Sequence, residues 1–412
     1  AVYALDVTDP SSFSETNTGL VLWEFNDAND ADLGYTYGEP AVVRLNNGVW
    51  AAIFGNGYNN TEADGNASTT GDAVLYIVNI ATGALIKKIT TEVGLAEDPT
   101  GASRPNGLTG VAPIDLTGDS IADYVYAGDL FGNMWKFDIS DTDITNWEVA
   151  YKQGVTLKPL YTAQNASNQY QPITTTPEVG VSPSGGTDVM VYFGTGKFIE
   201  NTDKTTVETQ TFYAVIDDGT RNTGGRGSLL QQSVTDVKTL TCKDIDGTDV
   251  TCQLRVTSDN ELTVGTDDGW FMDLPENGER VIASPLLRGD RIIFVSLIPS
   301  GDVCSGDGTG WLMELDALDG SRLSVSPFDI NGDKQFTSDD YVNIGTDEDP
   351  IWVPVSGKKY LDGSPAGTPA VLKDTEHDKE FKYTQLTNGQ KDTIVENPDD
   401  MSSGRQSWQQ IK

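Results

Sequence analysis

The chain is 412 residues long and carries 62 Asp+Glu against 27 Lys+Arg, a formal charge of −35. That excess of acid excludes a nucleic-acid binder built on basic patches and a docking module for anionic lipid, since both need clustered Lys or Arg. With 37% hydrophobic residues and 43 Gly the composition is that of a folded protein, and no run of 18 apolar residues offers a membrane-inserting helix.

Helical periodicity is nearly absent. Short runs rich in β-branched and aromatic residues follow one another, punctuated by Gly, Asn, Asp and Pro. They fall at 1–7, 20–25, 40–45, 49–55, 73–80, 121–126, 133–139, 189–194, 211–216, 281–286, 292–297 and 311–315. The N-terminus has neither a basic start nor an apolar core of signal-peptide type, which predicts a processed or trimmed end.

The runs repeat as a larger unit. One strand follows a small or Pro-containing turn, a second ends in Gly, and a third ends in an acid or a Thr-Gly turn. The unit is seen at 40–42, 51–57 and 75–83, then at 111–115, 124–128 and 134–138. It returns at 176–179, 191–196 and 212–217, and again at 283–287, 293–296 and 312–320. Four-stranded units repeated radially predict an all-β fold, a β-propeller of six to seven blades. Residues 2–6 carry a third-strand pattern and 367–371 a first-strand pattern, so the N-terminal strand is expected to close the ring. Residues 1–412 are then one propeller domain with two insertions, at 228–266 and 328–342.

The first insertion holds Cys242 and Cys252 on either side of Asp246-Gly247. Apolar alternation around that turn predicts a surface hairpin cross-linked near its base, the alternative being two buried thiols. A disulfide implies an oxidising, extracytoplasmic location. Cys304 is left without a partner in this sequence. The single histidine, His377, excludes a His-rich zinc site, and any Ser-His-Asp triad would have to use it. It lies in a charged run, 374–380, which reads as a solvated loop or strand edge.

The sharpest chemical signal lies in the second insertion. Asp329, Asn331 and Asp333 occupy positions 1, 3 and 5 of an EF-hand-type loop, with the Gln335 carbonyl at 7, Thr337 at 9 and Asp340 at 12. Calcium takes six to eight oxygens from a loop curled around it, and this spacing supplies them. Lys334 stands at the position of the usual turn Gly, and Asp340 is shorter than the usual Glu. The alternative is a hydrated acidic turn. A second candidate is a nine-residue calcium loop with Asp115, Thr117, Asp119 and Asp123, in which Thr117 replaces an acid and Ser120 the turn Gly. There the alternative is a turn held by Thr117 and Asp119.

Arg288-Gly289-Asp290 separates two apolar strand patterns. It reads as a hairpin turn, or as an exposed tripeptide of the kind integrins bind. Trp23, Trp50, Trp135, Trp270 and Trp311 fall in or beside strands, where core packing is expected.

Several stretches are similar to one known family. Asn106-Gly107-Leu108-Thr109-Gly110-Val111 leads into the Asp115 loop and is followed by Tyr126-Ala127-Gly128-Asp129-Leu130-Phe131-Gly132-Asn133-Met134-Trp135-Lys136-Phe137-Asp138. With 54–59, 278–281, 310–317, 328–342 and 404–408, this resembles the C-terminal domain of PilC/PilY-type adhesins, type IV pilus biogenesis and tip proteins. The resemblance implies a modified, quinoprotein-like propeller without quinone chemistry. It implies a role in pilus biogenesis, twitching and surface attachment. The expected location is the cell surface, at the pilus tip, reached through the periplasm. Implied partners are pilin or minor pilin subunits, an N-terminal adhesin region outside this sequence, and a host or abiotic surface. The family's calcium loop maps onto Asp115, Thr117, Asp119 and Asp123. Two rivals share such blades: a quinoprotein dehydrogenase, whose usual vicinal Cys pair has no counterpart here, and a calcium-dependent carbohydrate-binding propeller.

Overall fold

Each of the four repeats folds as three consecutive antiparallel strands in a computed structural model that describes residues 1–300, 308–361, 363–374, 376 and 379–398. Cys304, His377 and the 404–408 stretch lie outside the described residues. The described residues pack as two compact units, Ala1–Pro177 with Gly219–Thr223, and Glu178–Asp218 with the chain from Gly224 onward. No described helix is long and apolar enough to cross a membrane.

The first unit contains two four-stranded meanders. One runs Ala41–Arg44, Trp50–Gly55, Val74–Asn79 and Leu85–Thr90. The other runs Leu108–Ile114, Tyr124–Asp129, Asn133–Asp138 and Glu148–Val149. The first meander is apolar on both faces. Leu75 and Ile77 join a core with Ile53, Val125, Trp135 and Phe137, while Val74, Tyr76 and Val78 join another with Val2, Trp23, Phe25 and Phe54. This double burial is why its strands read as continuous apolar runs and not as alternation. Each fully buried large side chain contributes roughly 1.5–3 kcal/mol over an exposed one. The N-terminal strand Val2–Leu5 pairs with Val21–Phe25 in a two-stranded ribbon.

In the second unit the same plan takes its fourth strand from beyond an insertion. Glu178–Val181, Val189–Gly194 and Thr211–Asp217 are completed by Gly269–Asp273. Leu286–Arg288, Arg291–Pro299 and Gly308–Asp316 are completed by Gly357–Tyr360. The pattern at 367–371 yields strand Ala370–Asp374, in a three-stranded sheet with Lys379–Gln385 and Lys391–Glu396. The predicted strand at 281–286 is not formed: pairing starts only at Leu286, after Pro285, which has no N–H to give to a ladder. The acids that end the third strands cap the adjoining turns. Asp138 accepts from the Ser140 N–H at 3.0 Å and Asp316 from the Leu318 N–H at 2.8 Å.

Candidate functional site

The two insertions meet in the second unit. Within 228–266 the chain forms a long hairpin, Val234–Lys243 with Asp249–Thr257, whose second strand pairs with Gly357–Tyr360 and so extends that sheet. Leu240, Cys242, Val250, Cys252 and Leu254 share one apolar face, as the alternation requires. A disulfide joins Cys242 and Cys252, Cα atoms 5.9 Å apart. The hairpin is at the surface, with Thr235, Val237, Thr239 and Thr241 exposed, but its cross-link faces inward: both cysteines are 3% exposed, in one core cluster with Phe328, Ile330, Val342, Val353 and Val355. An apolar hairpin face must be covered, and the 328–342 insertion covers it. The Lys243 N–H donates to the Ile330 carbonyl at 3.0 Å.

That contact sets the Asp329 loop. Asp329 accepts from the Gly332 N–H at 2.7 Å and the Lys334 N–H at 3.0 Å. Asn331 accepts from the Asp333 N–H at 2.8 Å, and Asp333 from the Gln335 N–H at 2.7 Å. Asp340 is fully buried and closes the loop, accepting from Ile330 at 2.8 Å, Asn331 at 3.3 Å and Thr337 at 3.2 Å. Burial pushes its carboxyl above the usual range, against the pull of those N–H groups. The Thr337 hydroxyl caps the short turn Ser338–Asp340. Gly332 and Lys334 both have left-handed backbones, φ +79° and +61°. At Gly332 any Cβ would strike the Lys243 side chain, so this close approach needs glycine.

The Asp115 loop, between strands Leu108–Ile114 and Tyr124–Asp129 of the first unit, follows the same plan. Asp115 accepts from the N–H groups of Gly118, Asp119 and Ser120 at 2.6, 3.1 and 2.8 Å. Asp123 closes the loop by accepting from Leu116 at 2.9 Å and Thr117 at 3.0 Å. Gly118 and Ser120 are left-handed, φ +80° and +68°. The first Asp thus binds the third and fifth N–H onward, and the last Asp binds those of loop positions 2 and 3, in both loops. Lys334 and Ser120, each standing where a turn Gly was expected, adopt the left-handed backbone that the turn demands. Asp119 engages only its own turn, accepting from the Ile121 N–H at 2.9 Å.

Both donor sets consist of oxygens, which suits a hard cation. Asp340 fits one further: a buried carboxylate within the loop gains from a nearby positive charge. A carboxylate that accepts an N–H keeps lone pairs for a metal. Among the described residues no group of three or more His, Cys, Asp or Glu is gathered so as to hold a metal ion. The loops bring their acids to a common backbone, not to a common point.

Arg288-Gly289-Asp290 is a tight hairpin turn with Gly289 at φ +64°. The Arg288 guanidinium forms a two-pronged ion pair with the buried carboxylate of Glu380, Nε to Oε2 at 2.6 Å, so the tripeptide does not present a free arginine.

One constellation went unread in the sequence. Asp129, fully buried, accepts from Asn106 Nδ2 at 2.9 Å, Asn133 Nδ2 at 2.9 Å and Trp135 Nε1 at 2.8 Å, and from the N–H groups of Phe131 and Asn133. Burial raises its carboxyl, and these bonds oppose the rise. The Asn106 to Trp135 stretch is therefore a structural knot tying the start of the second meander to its second and third strands.

The family model described as the PilY1 beta-propeller domain matches residues 1–243. A type IV pilus biogenesis factor PilY1 homolog of Xylella fastidiosa is 41% identical over 331 residues, covering 78% of this chain and 21% of that protein. The type IV pilus biogenesis factor PilY1 of Pseudomonas aeruginosa strain PAO1 is 29% identical over 444 residues, covering 100% of this chain and 35% of its own length. The chain thus spans about a fifth to a third of these curated relatives. The crystal structure of the Pseudomonas aeruginosa PilY1 C-terminal domain superposes with a TM-score of 0.75 at 27% identity, over 96% of this chain and 78% of that one. The all-β fold is propeller-like.

Proposed function

The chain belongs to the PilY1 β-propeller family, and from that membership we propose that it is the C-terminal module of a type IV pilus tip adhesin and biogenesis factor, acting by binding and not by turnover. The observation that carries this is the family match together with the likeness to the PilY1 C-terminal domain along nearly the whole chain. The proposed partners are pilin or minor pilin subunits, the N-terminal region of a longer protein, and a host or abiotic surface. The proposed location is extracellular, at the pilus tip, and the Cys242–Cys252 bridge supports passage through an oxidising compartment. Six to seven blades and closure of the ring at the N-terminal strand belong to the same proposal.

Calcium is proposed at Asp329, Asn331, Asp333, the Gln335 carbonyl, Thr337 and Asp340, and more weakly at Asp115, Thr117, Asp119 and Asp123. A bound ion would supply the positive charge that lets such carboxylates approach one another. The protein's part is the preset loop backbone described above.

The test is an in-frame deletion of this region in the source organism. Fewer surface pili, slower twitching and weaker attachment are expected while the remainder is still secreted. Normal piliation, twitching and attachment would overturn the proposal.

A further inference from the structure

We infer that the Cys242–Cys252 disulfide is the strut on which the 329–340 loop is set, so that this loop takes its shape only after the hairpin has been oxidised. Phe328, Ile330 and Val342 share a core with both cysteines, and the loop's Ile330 carbonyl is tied to the N–H of Lys243, the residue after Cys242. Gly332 approaches Lys243 so closely that no side chain fits between them. The loop's inner side is therefore moulded on the cross-linked end of the hairpin.

Two thiols do not occupy the space of a cystine. Without the bond, the Cys242 and Cys252 side chains no longer brace each other beneath the covering residues, and the footing at the point where Ile330 is held loosens. Since both cysteines are buried once covered, the order is set: the bridge forms first, the loop closes second. In the forming step the thiolate of one cysteine attacks the disulfide of an external donor, giving a mixed disulfide. The thiolate of the other then displaces it, and the donor leaves as a dithiol carrying the two electrons. The loop thus becomes competent only in a compartment that supplies such a donor. This order stands on the packing alone. Its consequence for cation binding rests on the calcium reading proposed above.

The experiment is hydrogen exchange of the full chain in EDTA, comparing the oxidised protein with the Cys242→Ala/Cys252→Ala variant and with protein reduced by a dithiol in mild denaturant, alkylated and refolded. Amides of 328–342 should exchange at least tenfold faster in both altered forms, while strand Val189–Gly194 keeps its protection. Unchanged exchange in 328–342 would overturn the inference. Loss of protection throughout the unit would also overturn it, because the bridge would then serve the whole core and not the loop. Repeating the comparison in calcium separates the two readings: ion-induced protection confined to the oxidised form is expected. Absence of ion protection in both forms would sink the calcium reading and leave the EDTA result to decide the strut.

Discussion

Replacing Asp333 by Ala separates the calcium reading from loop stability, because the structure gives this residue two very unequal parts. Without an ion, Asp333 is exposed and accepts one hydrogen bond, from the Gln335 N–H. Losing that bond costs about 0.5–1.5 kcal/mol at most, since water can replace it. With an ion, Asp333 is the position-5 ligand, and its loss should remove most of the linkage. At calcium a hundredfold above its dissociation constant, linkage contributes about 2.7 kcal/mol. For a unit of this size, about 1 kcal/mol moves the melting temperature by roughly 2–4 °C. Calcium should therefore raise the melting temperature of the wild type by roughly 5–11 °C. In EDTA, wild type and Asp333→Ala should melt within a few degrees of each other. Differential scanning calorimetry with and without calcium measures the shifts, and titration calorimetry measures uptake. Equal calcium uptake by wild type and Asp333→Ala would refute the assignment.

Other consequences are open to direct measurement. Lys358 lies on the strand that pairs with Leu254 and Leu312; burial lowers its ammonium, while Asp392, Asp329 and Asp244 pull the other way. Lys358→Met should tighten calcium binding about tenfold, or ~1.4 kcal/mol, and an unchanged affinity in titration calorimetry would place that charge too far from the loop. Thr117→Asp restores the missing acid of the other loop and should add calcium uptake when tested in an Asp333→Ala background; no added uptake would show that the backbone there is not competent. Asp98 is buried, which alone would raise its carboxyl, but the Arg104 guanidinium and the N–H groups of Arg104 and Thr100 outweigh burial and hold it well below the usual carboxylate range. A depressed carboxyl contributes stability above its unfolded value, about pH 3.9, and loses it as pH falls toward the folded value. Melts from pH 6 to pH 2 should thus show the advantage of wild type over Asp98→Asn shrinking below about pH 4, and a constant gap would contradict the assignment.

The strand content was legible because each repeat announces itself locally: a Pro or Gly turn, an apolar run, and an acid that caps the next turn. Fourth strands were not legible. Gly269–Asp273 and Gly357–Tyr360 join their sheets only across long insertions, and nothing in their own residues reports that distance. The cysteine pairing could be read from the hairpin pattern, but its depth could not. Leu240, Val250 and Leu254 imply an apolar face, while the cover for that face comes from residues more than seventy positions onward. Both acidic loops were legible from oxygen spacing. That Lys334 and Ser120 take left-handed backbones was not, because neither residue type favours that conformation. The Asp129 knot hid among residues that look like ordinary core, since its donors come from Asn106 in a loop and from Asn133 and Trp135 on one strand.

The common plan of the two loops, set in different supports, points to different uses of the same turn. The Asp115 loop joins two strands that are themselves paired, from Leu108↔Asp129 to Ile114↔Tyr124. Its ends are fixed by the ladder, and three N–H bonds to Asp115 and two to Asp123 complete it from within. A loop so held keeps its shape through its own protein contacts, and an ion would add little to its geometry. The ends of the Asp329 loop are not paired with each other: Phe328 bridges Glu396, and Val342 pairs with Val353. The loop hangs between Gly308–Asp316 and Gly357–Tyr360, and its order comes from a buried Asp340, an apolar footing and a disulfide on a different segment. A loop whose order depends on remote supports has more to gain from an added one. Differential hydrogen exchange with calcium should accordingly fall on 328–342 more than on 115–123, and the larger effect at 115–123 would mean that the ladder is not what presets that turn.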